Sequence, residues 1–364
     1  MIRTALLHYW LINRRGGENV FAEIAGMFPE ADLFTHAYAP EVMDPFFGGR
    51  RVTETFIGKL PGARNSCQRY LPLMPYALRR LDLSGYDLII SSESGPVKGV
   101  RKPAGAVHLC YCHTPMRYLW DMYEDYSRST GFAGKLMMRL FRDPLRKYDL
   151  RSAEGVDLFV ANSAFVAERI RRIYRRDALV IHPPVNADYF SEAHLPRQDF
   201  YLLAGQLVPY KHPELAVLAC TKLGRKLVVA GTGPMLSELK RIAGPSVEFR
   251  GRVSDAELRE CYAQARALIF PGIEDFGIVP VEAQAAGTPV IALGTGGVLE
   301  TVLPGTTGIF FERPEAEALA DAIRAFEGMT FSASDCREQS AKFTPERFRE
   351  RFAAAVEQVL ALRH

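Results

Sequence analysis

The 364-residue chain is long enough for about two domains, and its 48% hydrophobic content can fill a core in each. It contains no uncharged apolar run long enough to span a bilayer, so no transmembrane helix is expected. A net charge of +3 is too mild for a nucleic-acid-binding protein.

The first segment, MIRTALLHYWL, lacks an Ala-x-Ala-like cleavage site and reads as a buried first strand near 2–8, not a signal peptide. Gly16 and Gly17 follow in a loop, then a helix from Glu18 to Met27. YDLIISSE (86–93) and AVHLCYCHTP (106–115) read as strands, the second ending at His113. A basic, Met-rich helix is expected over about 133–153. The strand VDLFVANS (156–163) follows, with Ser163 placed to cap the next helix, and then the strand ALVIHPPV (178–185). Cys110 and Cys112 share one face of their strand. With no second pair nearby, reduced structural thiols are the better reading than a zinc site.

The polar stretch NADYFSEAHLPRQD (186–199) interrupts the pattern and marks a domain boundary. The pattern then restarts with FYLLAGQL (200–207), a helix from Pro213, KLVVAGTGP (226–234), VEFRGRV (247–253), ALIFPG (267–272) and TPVIALG (288–294). Short apolar strands alternating with helices predict an α/β architecture with a doubly wound parallel sheet in each half. The expected domains are 1–190 and 191–344, with the amphipathic helix of 345–364 packed back on the first. Gly231-Thr232-Gly233-Pro234 reads as a tight turn at a helix start. Both closeness to a ligand and a purely structural role fit it.

Cations cluster in the first half, where residues 1–195 hold 26 Lys and Arg against 21 Asp and Glu. They are concentrated in 59–80, 135–151 and RIRRIYRR (169–176), interleaved with Leu, Met and Tyr. This mixture suits an anionic membrane surface, and also ordinary solvated helix faces.

Residues 270–291, FPGIEDFGIVPVEAQAAGTPVI, place Glu274 and Glu282 eight apart around Gly277 and Pro280. Glu274 falls in a strand-to-helix loop, and Glu282 is expected in the first turn of the helix. The first amides of that helix, at Phe276, Gly277, Ile278 and Val279, lack intrahelical acceptors and can cradle phosphate. Carboxylates beside a phosphate repel it, so the two glutamates are better matched to sugar hydroxyls, which donate hydrogen bonds.

EDFGIVPVEAQAAGTPVI resembles the E-x7-E signature of glycosyltransferase family 4. HYWLINRRGGENV, ISSESGPVKGV, CYCHTPMRYLWD, ANSAFVAERIRRIY, HPPVNADYF, LVPYKHPELAV, GTGP and GGVLETVLPGTTGIFF resemble further segments of the family, in order and over nearly the whole chain. The nearest likeness is to bacterial mannosyltransferases of O-antigen (lipopolysaccharide) and exopolysaccharide assembly. The resemblance implies the GT-B fold: two Rossmann-like domains facing a central cleft, with the C-terminal helix crossing back to the first. It implies that Glu274 binds the donor sugar's hydroxyls and faces its reacting carbon, while Glu282 holds the nucleotide ribose. Lys211 is similar to the cation that grips the donor diphosphate, and Gly16 and Gly17 to the glycines that approach it closely. His113 resembles the histidine near the donor sugar, and Arg252 and Val253 stand where the family places the base. Gln206 replaces the family's usual Arg. It can hydrogen-bond to phosphate but supplies no positive charge.

The implied reaction is retaining, metal-independent transfer from a nucleotide-diphospho-sugar, with GDP-mannose the nearest match, onto a lipid-linked saccharide. The enzyme would be cytoplasmic and peripheral on the anionic inner membrane surface, with no cofactor and no nucleic-acid partner. The alternatives are a UDP- or dTDP-sugar donor, and a catalytically silent nucleotide- or glycan-binding protein, which Gln206 favours. An NAD-dependent oxidoreductase is rejected because the first loop has no G-x-G-x-x-G.

Overall fold

The computed structural model describes residues 2–124, 131–192 and 195–363. Met1, Ala193, His194 and His364, assigned from sequence to the first strand, the linker and the last helix, lie outside the described residues. The chain divides into two compact units, 1–182 with 348–364, and 183–347. Among the described residues no helix is long and apolar enough to cross a membrane.

The first unit is built on a sheet in the order β3-β2-β1-β4-β5-β6-β7. Its strands are β1 (Thr4–His8), β2 (Asp32–Thr35), β3 (Val52–Glu54), β4 (Leu88–Glu93), β5 (Val107–Cys112), β6 (Leu158–Ala161) and β7 (Ala178–Val180). All neighbours pair in parallel, with Ala5 opposite both Asp32 and Ile89. β1, β4 and β5 are buried at every position, as expected for strands covered on both faces. The helix Gly16–Met27 lays Val20, Phe21 and Ile24 on one side of the sheet. Phe348, Phe352, Ala355, Val356 and Val359 of the last helix, Pro345–Leu360, join the same core. Ser163 caps Ala164–Tyr174 by accepting a 3.1 Å bond from the Val166 amide, as its position suggests. Cys110 and Cys112 lie together in the core with Phe159 and Val166, and their thiols are free.

The second unit repeats the plan in the order β10-β9-β8-β11-β12-β13, again wholly parallel. Its strands are β8 (Tyr201–Ala204), β9 (Leu227–Ala230), β10 (Val247–Gly251), β11 (Ala267–Phe270), β12 (Val290–Leu293) and β13 (Gly308–Phe311). The boundary falls at His182/Pro183, not at 190/191. The reason is the short helix Ala187–Ser191, capped by Asn186, which buries Ala187 and Phe190 against Phe200 and Tyr262 of the second unit. The chain rejoins the first unit at Phe348, three residues after the expected Pro345, because Phe348 is the first side chain of that helix to enter the first core.

In both sheets the strand order reverses once, between β1 and β4 and between β8 and β11. Parallel sheets bind ligands outside the carboxyl ends of their strands at such reversals.

Candidate functional site

In the second unit, the loops leaving β8 and β11 meet at the reversal. β8 runs into Gly205 (φ +128°) and the exposed Gln206, then into a tight turn over Pro209–Lys211. β11 runs into Pro271 and Gly272. A Cβ on Gly272 would stand 2.7 Å from the Lys211 Cα, so only glycine lets the two loops touch. The result is an ion pair: Lys211 Nζ lies 2.7 Å from Glu274 Oε1, with each side chain about one-fifth exposed. Gly205, Gln206, Lys211, Gly272 and Glu274 line one small pocket.

Glu274 is held from behind by a pair of glycines that motif reading did not assign. The Gly297 amide donates a 2.9 Å bond to the Glu274 carbonyl. A Cβ on Gly296 would come within 2.6 Å of that carbonyl, and one on Gly297 within 2.3 Å of the Asp275 carbonyl. The run Gly294-Thr295-Gly296-Gly297 was the available signal, although nothing in one sequence says which backbone it faces.

Gly277 (φ +88°) precedes the helix Ile278–Ala285 and turns the chain into it. Phe276 is buried against Val281 and Phe343, while Ile278 and Val279 are half-buried on the first turn. Glu282 is the fifth residue of this helix and so lies in its second turn, not its first. It is therefore not placed to stabilise the helix dipole, an effect confined to the first turn. It is partly buried and accepts a 3.0 Å bond from the Tyr262 hydroxyl. Burial pushes its carboxyl up to about 7. Asp255 and Glu274 add to the rise, and the Tyr262 bond opposes it.

The GTGP turn packs on the β8 loop. A Cβ on Gly231 would sit 1.9 Å from the Gly205 carbonyl and one on Gly233 2.3 Å from that of Leu207, while the Leu207 amide bonds the Thr232 carbonyl at 3.0 Å. These glycines let one loop lie on the other, so they shape the Lys211 loop from beneath. The turn does not open directly into a helix, which begins only at Leu236. Arg252, exposed, and Val253, partly buried on the core, directly follow β10. They share the carboxyl-end rim with Lys211 at two strands' remove.

In the first unit the same rim carries a buried polar cluster. His113 follows β5, and its amide bonds the Glu93 carbonyl at 2.8 Å. Its Nε2 lies 2.9 Å from Ser92 Oγ, which is also 3.3 Å from His8 Nδ1. A hydroxyl can donate to one ring and accept from the other, so Ser92 links the two imidazoles. His8 Nε2 lies 3.8 Å from Glu18 Oε1, and both side chains are buried. Burial, and then the nearby His8, lower the His113 pKa to about 3, which keeps the ring neutral and able to donate or accept a single bond. Gly16 and Gly17 are the first residues of the helix, not a loop before it. A Cβ on Gly17 would stand 3.2 Å from the Tyr9 hydroxyl and 3.5 Å from His113 Nε2, so the helix start presses on the histidine. His8 and Glu18 fall in HYWLINRRGGENV and Ser92 in ISSESGPVKGV, but none had been given a role; the pairing of β1 with β4 sets His8 opposite Ser92, and the start of the helix Gly16–Met27 brings Glu18 to them.

Residues 14–189 match the family described as Glycosyltransferase Family 4, and residues 186–343 match Glycosyl transferases group 1. The chain is 31% identical over 314 residues to the D-inositol 3-phosphate glycosyltransferase of Streptomyces avermitilis, covering 68% of each chain. It is 28% identical to the GDP-mannose-dependent alpha-(1-6)-phosphatidylinositol dimannoside mannosyltransferase of Mycobacterium tuberculosis, over 55% of this chain and 57% of that one. Several of the curated relatives it matches are spanned over only about half their length, 46% in the case of the Streptomyces scabiei enzyme. Among solved structures, HepE from Anabaena in complex with UDP and glucose aligns with a TM-score of 0.73 at 16% identity, covering 98% of this chain and 100% of that one. Sucrose-phosphate synthase from Thermosynechococcus elongatus aligns with a TM-score of 0.70 at 21% identity, covering 99% and 100%. With two wholly parallel, doubly wound sheets and these alignments, the chain belongs to glycosyltransferase family 4 and has the GT-B fold.

Proposed function

We propose that the protein transfers a sugar, with mannose from GDP-mannose as the favoured donor, to a hydroxyl of a lipid-linked saccharide in surface-polysaccharide assembly. The observation that carries this reading is the pairing of Lys211 with Glu274 at the carboxyl ends of β8 and β11. A cation and a carboxylate held side by side match the two halves of a diphospho-sugar: phosphate for Lys211 and sugar hydroxyls for Glu274.

In this mechanism the bond between the anomeric carbon and the diphosphate oxygen breaks, and its electrons stay on the leaving diphosphate. Lys211 and the amides at the start of the Ile278–Ala285 helix stabilise that charge, which leaves no step that requires a metal. The acceptor hydroxyl attacks the same face and passes its proton to the departing phosphate, so configuration is retained. Glu274 positions the sugar and stabilises its positive character, and Glu282 holds the ribose. Neutral His113, fixed through Ser92, offers one hydrogen bond to the donor sugar. Gln206 leaves the diphosphate with one cation fewer than the family pattern provides.

The mannosyltransferase relative supports GDP-mannose. The UDP named with the HepE structure favours a second reading, a UDP-sugar donor. An acceptor at the inner membrane surface accords with the helix Phe132–Glu154, which exposes Phe132, Leu136, Met137 and Leu140 beside Lys135 and Arg139.

Thermal unfolding against GDP, UDP, ADP, dTDP and their common sugars tests the proposal. A ligand at 100 times its Kd adds about 2.7 kcal/mol of stability. The proposal expects the largest shift with GDP and GDP-mannose. A larger shift with UDP ligands overturns the donor, and no shift with any nucleotide overturns the transferase reading in favour of a silent binding protein.

A further inference from the structure

Outside these clusters, a cavity of about 660 Å³ lies in the first unit, between the helices Phe132–Glu154 and Ala164–Tyr174. Glu154 and Arg175–Arg176 immediately precede β6 and β7, so the cavity reaches the amino-end edge of a parallel sheet whose carboxyl ends carry His113. None of its lining residues belongs to the sugar-transfer machinery proposed above.

Four guanidinium groups line it, those of Arg146, Arg172, Arg175 and Arg176, against the carboxylates of Asp121 and Glu154. Asp121 is shared: Arg172 bonds both of its oxygens at 2.8 Å, and Arg169 approaches from behind at 2.7 Å. Two helix carboxyl ends converge here, and each favours a cation. Arg176 already meets part of that demand by donating to the Ala153 and Val156 carbonyls at 3.0 and 2.7 Å. Positive charge therefore remains in excess.

The floor is aromatic and rigid. Trp120 Nε1 donates to Asp149 at 2.8 Å, and the Tyr174 hydroxyl bonds the same buried carboxylate, which is also paired with Lys98. The Arg146 guanidinium lies 4.7 Å over the Trp120 ring and is tied by a 2.7 Å bond to the Leu119 carbonyl.

Arg175 is the most informative residue. It ends the Ala164–Tyr174 helix in the left-handed region (φ +55°), a position that favours glycine. Its side chain is exposed and has no ion-pair or hydrogen-bond partner among the described residues. A strained backbone position occupied by a charged side chain without a structural task points to a ligand.

We propose that this cavity binds a phosphorylated ligand. Arg175, Arg172 and Arg146 would hold the phosphate, and the body of the ligand would lie on Trp120. Planar guanidinium groups match phosphate oxygens two at a time, and a preformed aromatic floor lowers the ordering needed on binding. The same chemistry is offered by a soluble phosphorylated compound and by a phospholipid headgroup.

The chain has two tryptophans, so a Trp10→Phe background leaves Trp120 as a local reporter. Its fluorescence would be titrated with inorganic pyrophosphate, and separately with phosphatidylglycerol and phosphatidylcholine vesicles. The expected result is a saturable response to pyrophosphate or to phosphatidylglycerol, retained in Lys211→Ala and weakened about tenfold in Arg175→Gly, the loss typical of one charge-assisted bond. Response to pyrophosphate assigns a soluble ligand, and response to phosphatidylglycerol alone assigns a headgroup. Glycine suits the left-handed position, so Arg175→Gly should unfold no earlier than its parent, and Arg175→Asn, which also tolerates that backbone, should lose binding equally. No saturable response to either probe, unchanged affinity in Arg175→Gly, or loss of the response in Lys211→Ala overturns the proposal.

Discussion

Lys211 Nζ and Glu274 Oε1 stand 2.7 Å apart although they come from loops after two different strands. Partly exposed pairs of this kind contribute about 0–1 kcal/mol to stability, so their value lies in what they can each engage. Glu274→Gln is therefore expected to change unfolding stability by less than about 1 kcal/mol and to lower transfer about 100-fold or more, as loss of a transition-state contact does. Nucleoside diphosphate affinity, measured by titration calorimetry, should be nearly unchanged. Transfer at the parental rate would remove Glu274 from the mechanism.

Gln206 occupies an exposed place on the β8 loop that carries Lys211. Gln206→Arg is expected to tighten nucleoside diphosphate binding about tenfold, the increment of one charge-assisted hydrogen bond. The gain should shrink at high salt. Equal affinity at low salt would show that position 206 does not face the diphosphate.

Glu282 carries a pH dependence whose sign follows from its raised pKa. The unfolded carboxyl titrates near 4.5 and the folded one near 7. Below 4.5 the proton is bound in both states, and its contribution to stability is fully present. As pH rises through this window the unfolded chain releases the proton first, and the contribution is lost by about pH 7. A full shift of that size corresponds to an upper limit of about 3 kcal/mol, and the partial exposure of Glu282 reduces it to about 1–2 kcal/mol. Glu282→Gln should flatten the stability profile between pH 5 and 8 in urea unfolding. A variant as pH-dependent as its parent contradicts the assignment.

Gly297 tests the support beneath Glu274. Gly297→Ala places a carbon 2.3 Å from the Asp275 carbonyl, too close without moving backbone. The expected loss is about 1–3 kcal/mol of stability together with most of the transfer activity. Gly297 has an ordinary helical φ (−66°), so its loss would come from the close approach alone, whereas Gly305→Ala, at φ +78° with nothing near its Cβ, shows what backbone strain alone costs. If both variants lose activity equally, the close approach is irrelevant.

The exposed apolar stripe on Phe132–Glu154 gives a fifth expectation. Replacing Leu136 and Leu140, 57% and 63% exposed, by Ser should lower co-sedimentation with anionic vesicles without lowering thermal stability. Unchanged co-sedimentation in low salt would assign any membrane contact to another surface.

Both parallel sheets were legible from the alternation of short apolar runs with helices, and Glu274, Lys211 and His113 could be placed from motifs that sit where such runs end. Less visible were β3, whose three residues are all half-buried and give no apolar run, and β13, which opens on a glycine and has only four residues. The residues behind these motifs fall in other matched segments, but their contacts were not legible. Ser92 meets His8 and His113 only because β1, β4 and β5 pair in a particular register, and Gly297 meets Glu274 only because two loops cross. Such contacts join residues 84 and 23 positions apart, and local patterning carries no record of them.

The last helix has a consequence for the order of folding. The core of the first unit includes Phe348, Phe352, Val356 and Val359, whereas the second unit is one continuous segment, 183–347. During synthesis the first unit waits for the helix that carries Phe348 to Val359, by which point every residue of the second has already been made. The usual order, in which the amino-terminal domain completes first, is therefore reversed. A nascent chain halted near residue 347 holds a finished second unit and a first unit whose apolar face around Leu6, Leu109 and Tyr111 is uncovered.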